Sequence, residues 1–180
     1  MFAYYCRTVA PRANSGGLVR PRDEEDRWIT SILLEALGRK RPPTRKVISR
    51  IPEDCSDYRE DPKARTAREI AWLIVHEEVA LVDGLERGAF EWTEMPASAT
   101  VTEIVARYDR QHDALTSRLQ AITGPRWEDN LPFLFNGQEV MKETGYEMAW
   151  GFLLDQIHHR GQLSTYLCPN GREGTAHLRT

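Results

Sequence analysis

The sequence predicts an all-α protein, an antiparallel four-helix bundle that follows a disordered N-terminal extension. Apolar residues recur at spacings of three and four in four separate segments, which is the periodicity of one helix face. Three of these segments begin with a capping box, a threonine followed three residues later by a glutamate. No window alternates apolar and polar residues clearly enough to predict a strand, and the short segment around Phe133 is the only candidate.

The first helix is predicted from its apolar face, which comprises Trp28, Ile29, Ile32, Leu33, Ala36 and Leu37. Pro42 and Pro43 are expected to break or kink this helix, because proline lacks an N–H donor and its ring clashes with the preceding turn. The apolar pattern resumes over residues 47–51. Residues 51–64, which are rich in Asp and Pro, are predicted to form a loop.

The capping boxes predict where the other three helices begin. They are Thr66 with Glu69, Thr100 with Glu103, and Thr144 with Glu147. The second helix is expected to end near Gly88 and the third before Gly124-Pro125, since glycine and proline terminate helices. The final helix is expected to run from about residue 144 to residue 167, before Pro169-Asn170-Gly171.

Length and composition predict one bundle domain over residues 23–171, with a disordered basic extension over 1–22 and a flexible tail over 172–180. The net charge of −3 argues against a nucleic-acid partner, and no apolar run is long enough for a membrane span. Three cysteines without a CxxC pair favour a reducing, cytoplasmic setting. Because residues 1–22 are Arg-rich and poor in acids, an organelle transit peptide is the alternative interpretation of that segment.

The final helix carries the most informative polar pattern. Asp155 and His159 are four residues apart, so their side chains meet above one turn and are spaced to bind a single metal ion. His158 points about 100° away and cannot join them on the same ion. An acid and a histidine at this spacing also occur as a plain hydrogen-bonded pair, which is the alternative.

Polar residues also interrupt the second helix, which is otherwise apolar nearly all round. Glu77 lies near the centre of its apolar stripe and His76 lies at the edge. A buried carboxylate is costly unless it is paired or metal-bound, so Glu77 needs a partner in the bundle. That partner is either a metal ion or a polar side chain of a neighbouring helix. His112, on the apolar stripe of the third helix, is expected to be a core histidine with its hydrogen bonds satisfied.

The final helix resembles the last helix of the DinB-like bundle proteins, which are named from DNA-damage-inducible genes, in the segment DQIHHRGQLSTYL followed by PNG. Residues 51–78 resemble the first inter-helix loop and second helix of that family. With a weaker likeness of the first and third helices, the resemblance covers Asp23 to Gly171. It implies a four-helix bundle, often a homodimer, with a divalent metal held near one end by three histidines.

Position by position, the resemblance carries over incompletely. His159 matches the second of the two family ligands on the final helix, and Asp155 stands where the first of them is usually a histidine. Leu73 stands at the ligand position of the second helix, and leucine cannot bind metal. Either ligation has moved one turn along that helix, to His76 or Glu77, or the site has decayed into a buried polar network.

The resemblance implies a metal-dependent transferase, using a small-molecule thiol or another small substrate, or a hydrolase. Zinc or nickel would be held by His76, Asp155 and His159, with Glu77 as catalytic base or as a partner of a ligand. The resemblance also implies a homodimer and a role in stress response. The alternative is a non-catalytic binding or dimerisation module in which the acid–histidine cluster only holds the bundle together.

Overall fold

The computed structural model describes residues 22–93, 96–97, 100–122 and 124–167, and it is mostly helical. In chain order the elements are α1 (Arg22–Ile48), α2 (Ala67–Arg87), β1 (Phe90–Trp92), α3 (Val101–Ala121), α4 (Pro125–Glu128), β2 (Asn130–Phe135), β3 (Gln138–Thr144) and α5 (Gly145–Tyr166), with a single 3-10 turn (Glu53–Cys55) before α2. The predicted extension over 1–22 and tail over 172–180 lie outside the described residues, except for Arg22, where α1 begins. None of the described helices is long and apolar enough to cross a membrane.

All three predicted capping boxes form, and they fix where α2, α3 and α5 begin. In each box the threonine side chain accepts a hydrogen bond from the glutamate backbone N–H, and the glutamate side chain accepts one from the threonine backbone N–H. Gly88 ends α2 in the left-handed conformation, with a φ of 81° that suits glycine. These boundaries are set by residues a few positions apart in sequence, which explains why the sequence predicts them well.

The prolines of α1 do not break it. The helix continues through Pro42 and Pro43 to Ile48, so the expected break is absent. Buried side chains lie on both sides of the prolines, with Leu37 before them and Val47 after them. Burial of both halves of α1 against the rest of the bundle therefore outweighs the local cost of the prolines.

Neighbouring helices α2 and α3 run in the same direction. Paired residues advance together along them: Arg107 lies over the ring of Trp72, His112 contacts Glu78, and Arg118 binds Asp83. In this parallel arrangement α3 begins at the same end of the bundle as α2, and the first residues of both helices lie in one core cluster.

The other two long helices run against this pair. Arg41 binds Asp113 and Arg45 binds Asp109, so α1 and α3 are antiparallel. The start of α5 packs with the end of α2 in one core cluster, and the end of α5 packs with the start of α2 in the other. The prediction of an antiparallel bundle therefore holds for α1 against α3 and for α5 against α2, and it is wrong for α2 beside α3. Apolar spacing shows which face of a helix is buried and carries no information on the direction of its neighbour.

A three-stranded sheet corrects the prediction of a wholly α fold. Strand β1 pairs in parallel with β2, and β2 pairs antiparallel with β3, which confirms the strand candidate around Phe133. The hairpin turns at Asn136-Gly137, where both residues have positive φ, at 50° and 79°. Asn-Gly is the preferred pair for such a turn, so this dipeptide was a signal for the hairpin that helical periodicity does not reveal.

The sheet packs on the first half of α5. The ring of Phe152 lies 5.5 Å from that of Phe90 in β1 and 6.1 Å from that of Phe133 in β2, measured between centroids. All three rings are buried. This contact holds the part of α5 that directly precedes Asp155 and His159, the two candidate ligands on that helix.

Candidate metal centre

Three side chains from two helices meet between α2 and α5. Glu77 belongs to α2, and Asp155 and His159 lie one turn apart on α5. The Nε2 atom of His159 is 3.5 Å from Oε1 of Glu77 and 3.6 Å from Oδ2 of Asp155. One ligand atom from each residue lies within 4.8 Å of the others. In the part of the chain that the structure describes, this is the group suited to hold a metal ion.

Two of the three separations within the group are close to those in a tetrahedral divalent metal site. A tetrahedral ion with ligands at about 2.0–2.2 Å separates its ligand atoms by about 3.3–3.6 Å. The two distances from His159 Nε2 to the carboxylate oxygens fall close to this range. One imidazole and two carboxylates are a donor set that zinc, iron or nickel accepts.

Glu77 is the member of the group that most needs a partner. Its side chain is only 2% exposed, and its Oε2 atom has no hydrogen-bond partner among the described residues. Burial, and then the nearby Asp155 carboxylate, raise the pKa of Glu77 well above its ordinary value. A buried acid beside a second acid is unfavourable by itself, and a bound cation would satisfy both.

Asp155 and His159 are partly open to solvent, with side chains 27% and 13% exposed. Burial would raise the pKa of Asp155, but its hydrogen bonds and charge interactions, first with His159 and then with Glu77, outweigh this and the pKa is lowered. The Nδ1 atom of His159 is 3.3 Å from Oε1 of Gln162, one turn further along α5. If Nδ1–H donates to Gln162, Nε2 presents its lone pair to the two carboxylates, as a metal-binding imidazole must.

His76 is not brought to this group, although the sequence places it next to Glu77. Its ring packs on that of Trp92, with 4.5 Å between centroids, and burial lowers its pKa. Leu73 lines a cleft beside the group and cannot bind metal. Of the two ligands that the sequence offers from the second helix, His76 and Glu77, the geometry therefore favours Glu77. If Glu77 binds a metal ion, it cannot also serve as the catalytic base that the resemblance implies.

A second buried polar cluster contains Glu78 and Gln156, the residues that directly follow Glu77 and Asp155 in sequence. Of its members, the sequence predicts only the core histidine. Lys40 of α1 donates hydrogen bonds to Glu78 Oε1, at 2.8 Å, and to Gln156 Oε1. The same Glu78 oxygen is 2.9 Å from Nδ1 of His112. All four side chains are buried, and His112 is the satisfied core histidine that the sequence predicts. The polar position of Glu78 beside Glu77 was a signal, but the partner Lys40 is 38 residues away.

Burial and charge act in opposite directions in this second cluster. Burial lowers the pKa of Lys40, although Glu78 opposes that change. Burial would raise the pKa of Glu78, but the hydrogen bonds and charges of His112 and Lys40 outweigh it and the pKa is lowered. Glu78 is therefore held as a carboxylate by protein partners alone, whereas the Oε2 atom of Glu77 has no hydrogen-bond partner among the described residues.

The sequence matches no model of a known protein family and no curated protein. The structure, in contrast, is similar to the crystal structure of the DinB-like protein YjoA from Bacillus subtilis, with a TM-score of 0.59. The similarity covers 81% of this chain and 92% of that one, at 17% sequence identity. This confirms the resemblance on which the sequence analysis relies: the chain has a DinB-like fold.

Proposed function

We propose that this protein is a divalent-metal-binding member of the DinB-like family in which Glu77, Asp155 and His159 are the protein ligands. The observation that carries the proposal is that one ligand atom from each residue lies within 4.8 Å of the others, in a group whose buried Glu77 has a carboxylate oxygen, Oε2, without a hydrogen-bond partner among the described residues. The metal we propose is zinc or nickel, and the setting is cytoplasmic, as the cysteine pattern predicts.

A metal-dependent transferase or hydrolase acting on a small thiol or another small molecule is the activity we propose. With three protein ligands, zinc or nickel would have an open position and would lower the pKa of a water or thiol substrate. Glu77 and Asp155 supply the negative charge that balances the cation. Gln162 fixes the ring of His159, and the burial of Glu77 keeps water from one side of the site.

A non-catalytic module is the second candidate, and one observation favours it. The neighbouring cluster of Lys40, Glu78, His112 and Gln156 shows that this bundle also holds buried charged groups by hydrogen bonds alone. If Glu77 retains a proton, the group around His159 is a cluster of the same structural kind, and no metal is needed.

Metal content and thermal stability distinguish the two candidates. The protein is stripped with a chelator, dialysed against zinc or nickel, and measured by elemental analysis and by melting curves. We expect one metal ion per chain and a metal-induced rise in Tm, because a ligand that binds only the folded state stabilises it. His159→Ala and Glu77→Gln should lose both the metal and the rise in Tm.

Two neighbouring histidines supply the controls. His158→Ala removes the exposed histidine next to His159 and should leave metal content unchanged. His76→Ala tests the other ligand that the sequence offers from the second helix, and it too should leave metal content unchanged. Loss of metal in His76→Ala would restore His76 as a ligand, and wild-type protein that binds no metal would favour the non-catalytic module.

We also propose a homodimer formed through the outer face of α5. Leu154 and Ile157 lie on this face with 51% and 37% of their surfaces exposed, beside the half-buried Trp150. Exposed aliphatic residues side by side on one helix are typical of a surface that a second subunit covers.

A further inference from the structure

A cleft of about 640 Å³ lies beside the proposed metal site. Its lining includes Trp72, Leu73 and His76 of α2, together with Trp92 and with Gln162 of α5. The rings of His76 and Trp92 pack against each other, with 4.5 Å between centroids, and these two rings form the aromatic wall of the cleft. The volume falls within the range of about 300–1,000 Å³ that is usual for sites of small organic molecules.

The loop before α2 adds positive charge to this cleft. Arg59, Lys63 and Arg65 line it, and all three are exposed. No carboxylate of the described residues forms an ion pair with any of them, in a chain whose net charge is −3. The one acid in the lining is Glu69, whose carboxylate already accepts the backbone N–H of Thr66 at 2.7 Å. Arg59 donates a hydrogen bond to the backbone oxygen of Pro62, at 3.4 Å. The cleft therefore combines an aromatic wall with three cations that form no ion pair within the described part of the chain.

The cleft also contacts the metal-binding group. Gln162 lines it and lies within 3.3 Å of Nδ1 of His159. On α2, His76 directly precedes Glu77, and Leu73 lies one turn before it. A molecule bound in this cleft would therefore lie close to the proposed metal ligands.

We propose that this cleft binds a small organic anion, whose carboxylate or phosphate group is held by Arg59, Lys63 and Arg65 and whose apolar body lies against the rings of Trp92 and His76. Guanidinium groups pair well with both kinds of anion, and the flat faces of tryptophan favour a planar or apolar body. The role of this anion as a substrate rests on the proposed function, whereas its binding depends only on the cleft.

Three naphthalene probes test the binding. We would titrate 2-naphthoate, 2-naphthyl phosphate and the neutral 2-naphthamide into the full chain by isothermal titration calorimetry, after chelation and again after loading with zinc. The structure predicts that at least one of the two anions binds tenfold or more tightly than the amide, in both preparations. The tighter of the two identifies the preferred anionic group. If neither anion binds more tightly than the amide, the proposal is overturned.

A charge-matched pair of variants then locates the binding. Arg59→Gln/Lys63→Gln/Arg65→Gln should weaken anion binding at least tenfold and leave amide binding unchanged. The control, Arg50→Gln/Arg110→Gln/Lys142→Gln, removes the same total charge at three exposed positions outside the lining and should leave anion binding unchanged. All six positions are exposed, and melting curves verify that both variants fold. Equal weakening in the two variants would refute the cleft as the binding site.

Trp92→Ala adds a second line of evidence, since it should weaken the amide and the anions alike by shortening the aromatic wall. The proposed function fails separately, through the absence of stoichiometric zinc in the wild type. A preference for the anions in protein that binds no zinc would support the cleft as an anion site and remove its link to metal chemistry. Zinc binding without a preference for the anions would support the metal site and overturn the proposal that the cleft binds an anion.

Discussion

Replacement of Lys40 by methionine tests whether the buried polar cluster beside the proposed metal ligands stabilises the bundle. The Nζ atom of Lys40 is buried and binds both Glu78 and Gln156, which directly follow Glu77 and Asp155 in sequence. Methionine keeps most of the volume and removes the charge and all three donors. Glu78 would keep only its contact with His112, and the Gln156 side chain would have no hydrogen bond among the described residues.

The expected cost follows from leaving a buried carboxylate without its cation. Removal of one partner of a buried ion pair costs about 3–5 kcal/mol of the free energy of unfolding. For a domain of this size each kcal/mol lowers Tm by about 2–4 °C, so we expect a fall of about 6–20 °C. Urea denaturation followed by circular dichroism measures the free energy, and a thermal melt measures Tm.

Two further variants separate this cause from general effects of the substitution. Arg39→Met removes a positive charge from the neighbouring position of α1, where the pair with Glu35 is highly exposed, and should cost less than about 0.5 kcal/mol. Lys40→Met/Glu78→Gln removes the unpaired charge as well, and should be more stable than Lys40→Met alone. A cost below about 1 kcal/mol for Lys40→Met, or a double variant that is less stable than the single one, would refute the reasoning.

Three more predictions concern packing, pH and assembly. Gly84→Ala should lower the free energy of unfolding by about 1–3 kcal/mol, measured in urea, because the added Cβ would overlap the ring of Phe90. The added Cβ of Gly38→Ala meets no atom within 4 Å, so this variant should raise the free energy of unfolding by about 0.5–1 kcal/mol. Equal changes in the two variants would contradict this prediction. The carboxylate of Glu53 accepts the first two backbone N–H groups of α3, at 3.0 and 3.1 Å, and these bonds lower its pKa below the ordinary 4.5. The contribution of the Glu53 carboxylate to the free energy of unfolding is therefore complete above about pH 5.5 and is lost as the pH falls through the lowered pKa. In urea titrations, Glu53→Gln should be less stable than the wild type at pH 7 and equally stable at low pH. Leu154→Arg should convert a dimer into a monomer in sedimentation equilibrium at tens of micromolar, and a monomeric wild type would contradict the dimer.

The candidate site could be predicted from sequence only where its residues are close in the chain. Asp155 and His159 share a face of one helix because they are four residues apart, and the structure brings them together as expected. Whether His76 or Glu77 completes the group could not be decided in this way. Adjacent residues on a helix point about 100° apart, and only the position of α5 against α2 selects one of them.

The features of the fold likewise separate into those set by residues close in sequence and those set by contacts between distant residues. The sequence by itself determined the capping boxes, the ends of the later helices and the apolar faces, because each depends on residues within one or two turns. Only the tertiary structure decided the parallel course of α2 and α3, the continuity of α1 through its prolines, and the pairing of β1 with β2, 43 residues apart at Phe90 and Phe133. The Lys40 cluster likewise joins residues up to 116 positions apart. Such contacts depend on how several buried faces fit together, and no local pattern of spacing encodes that fit.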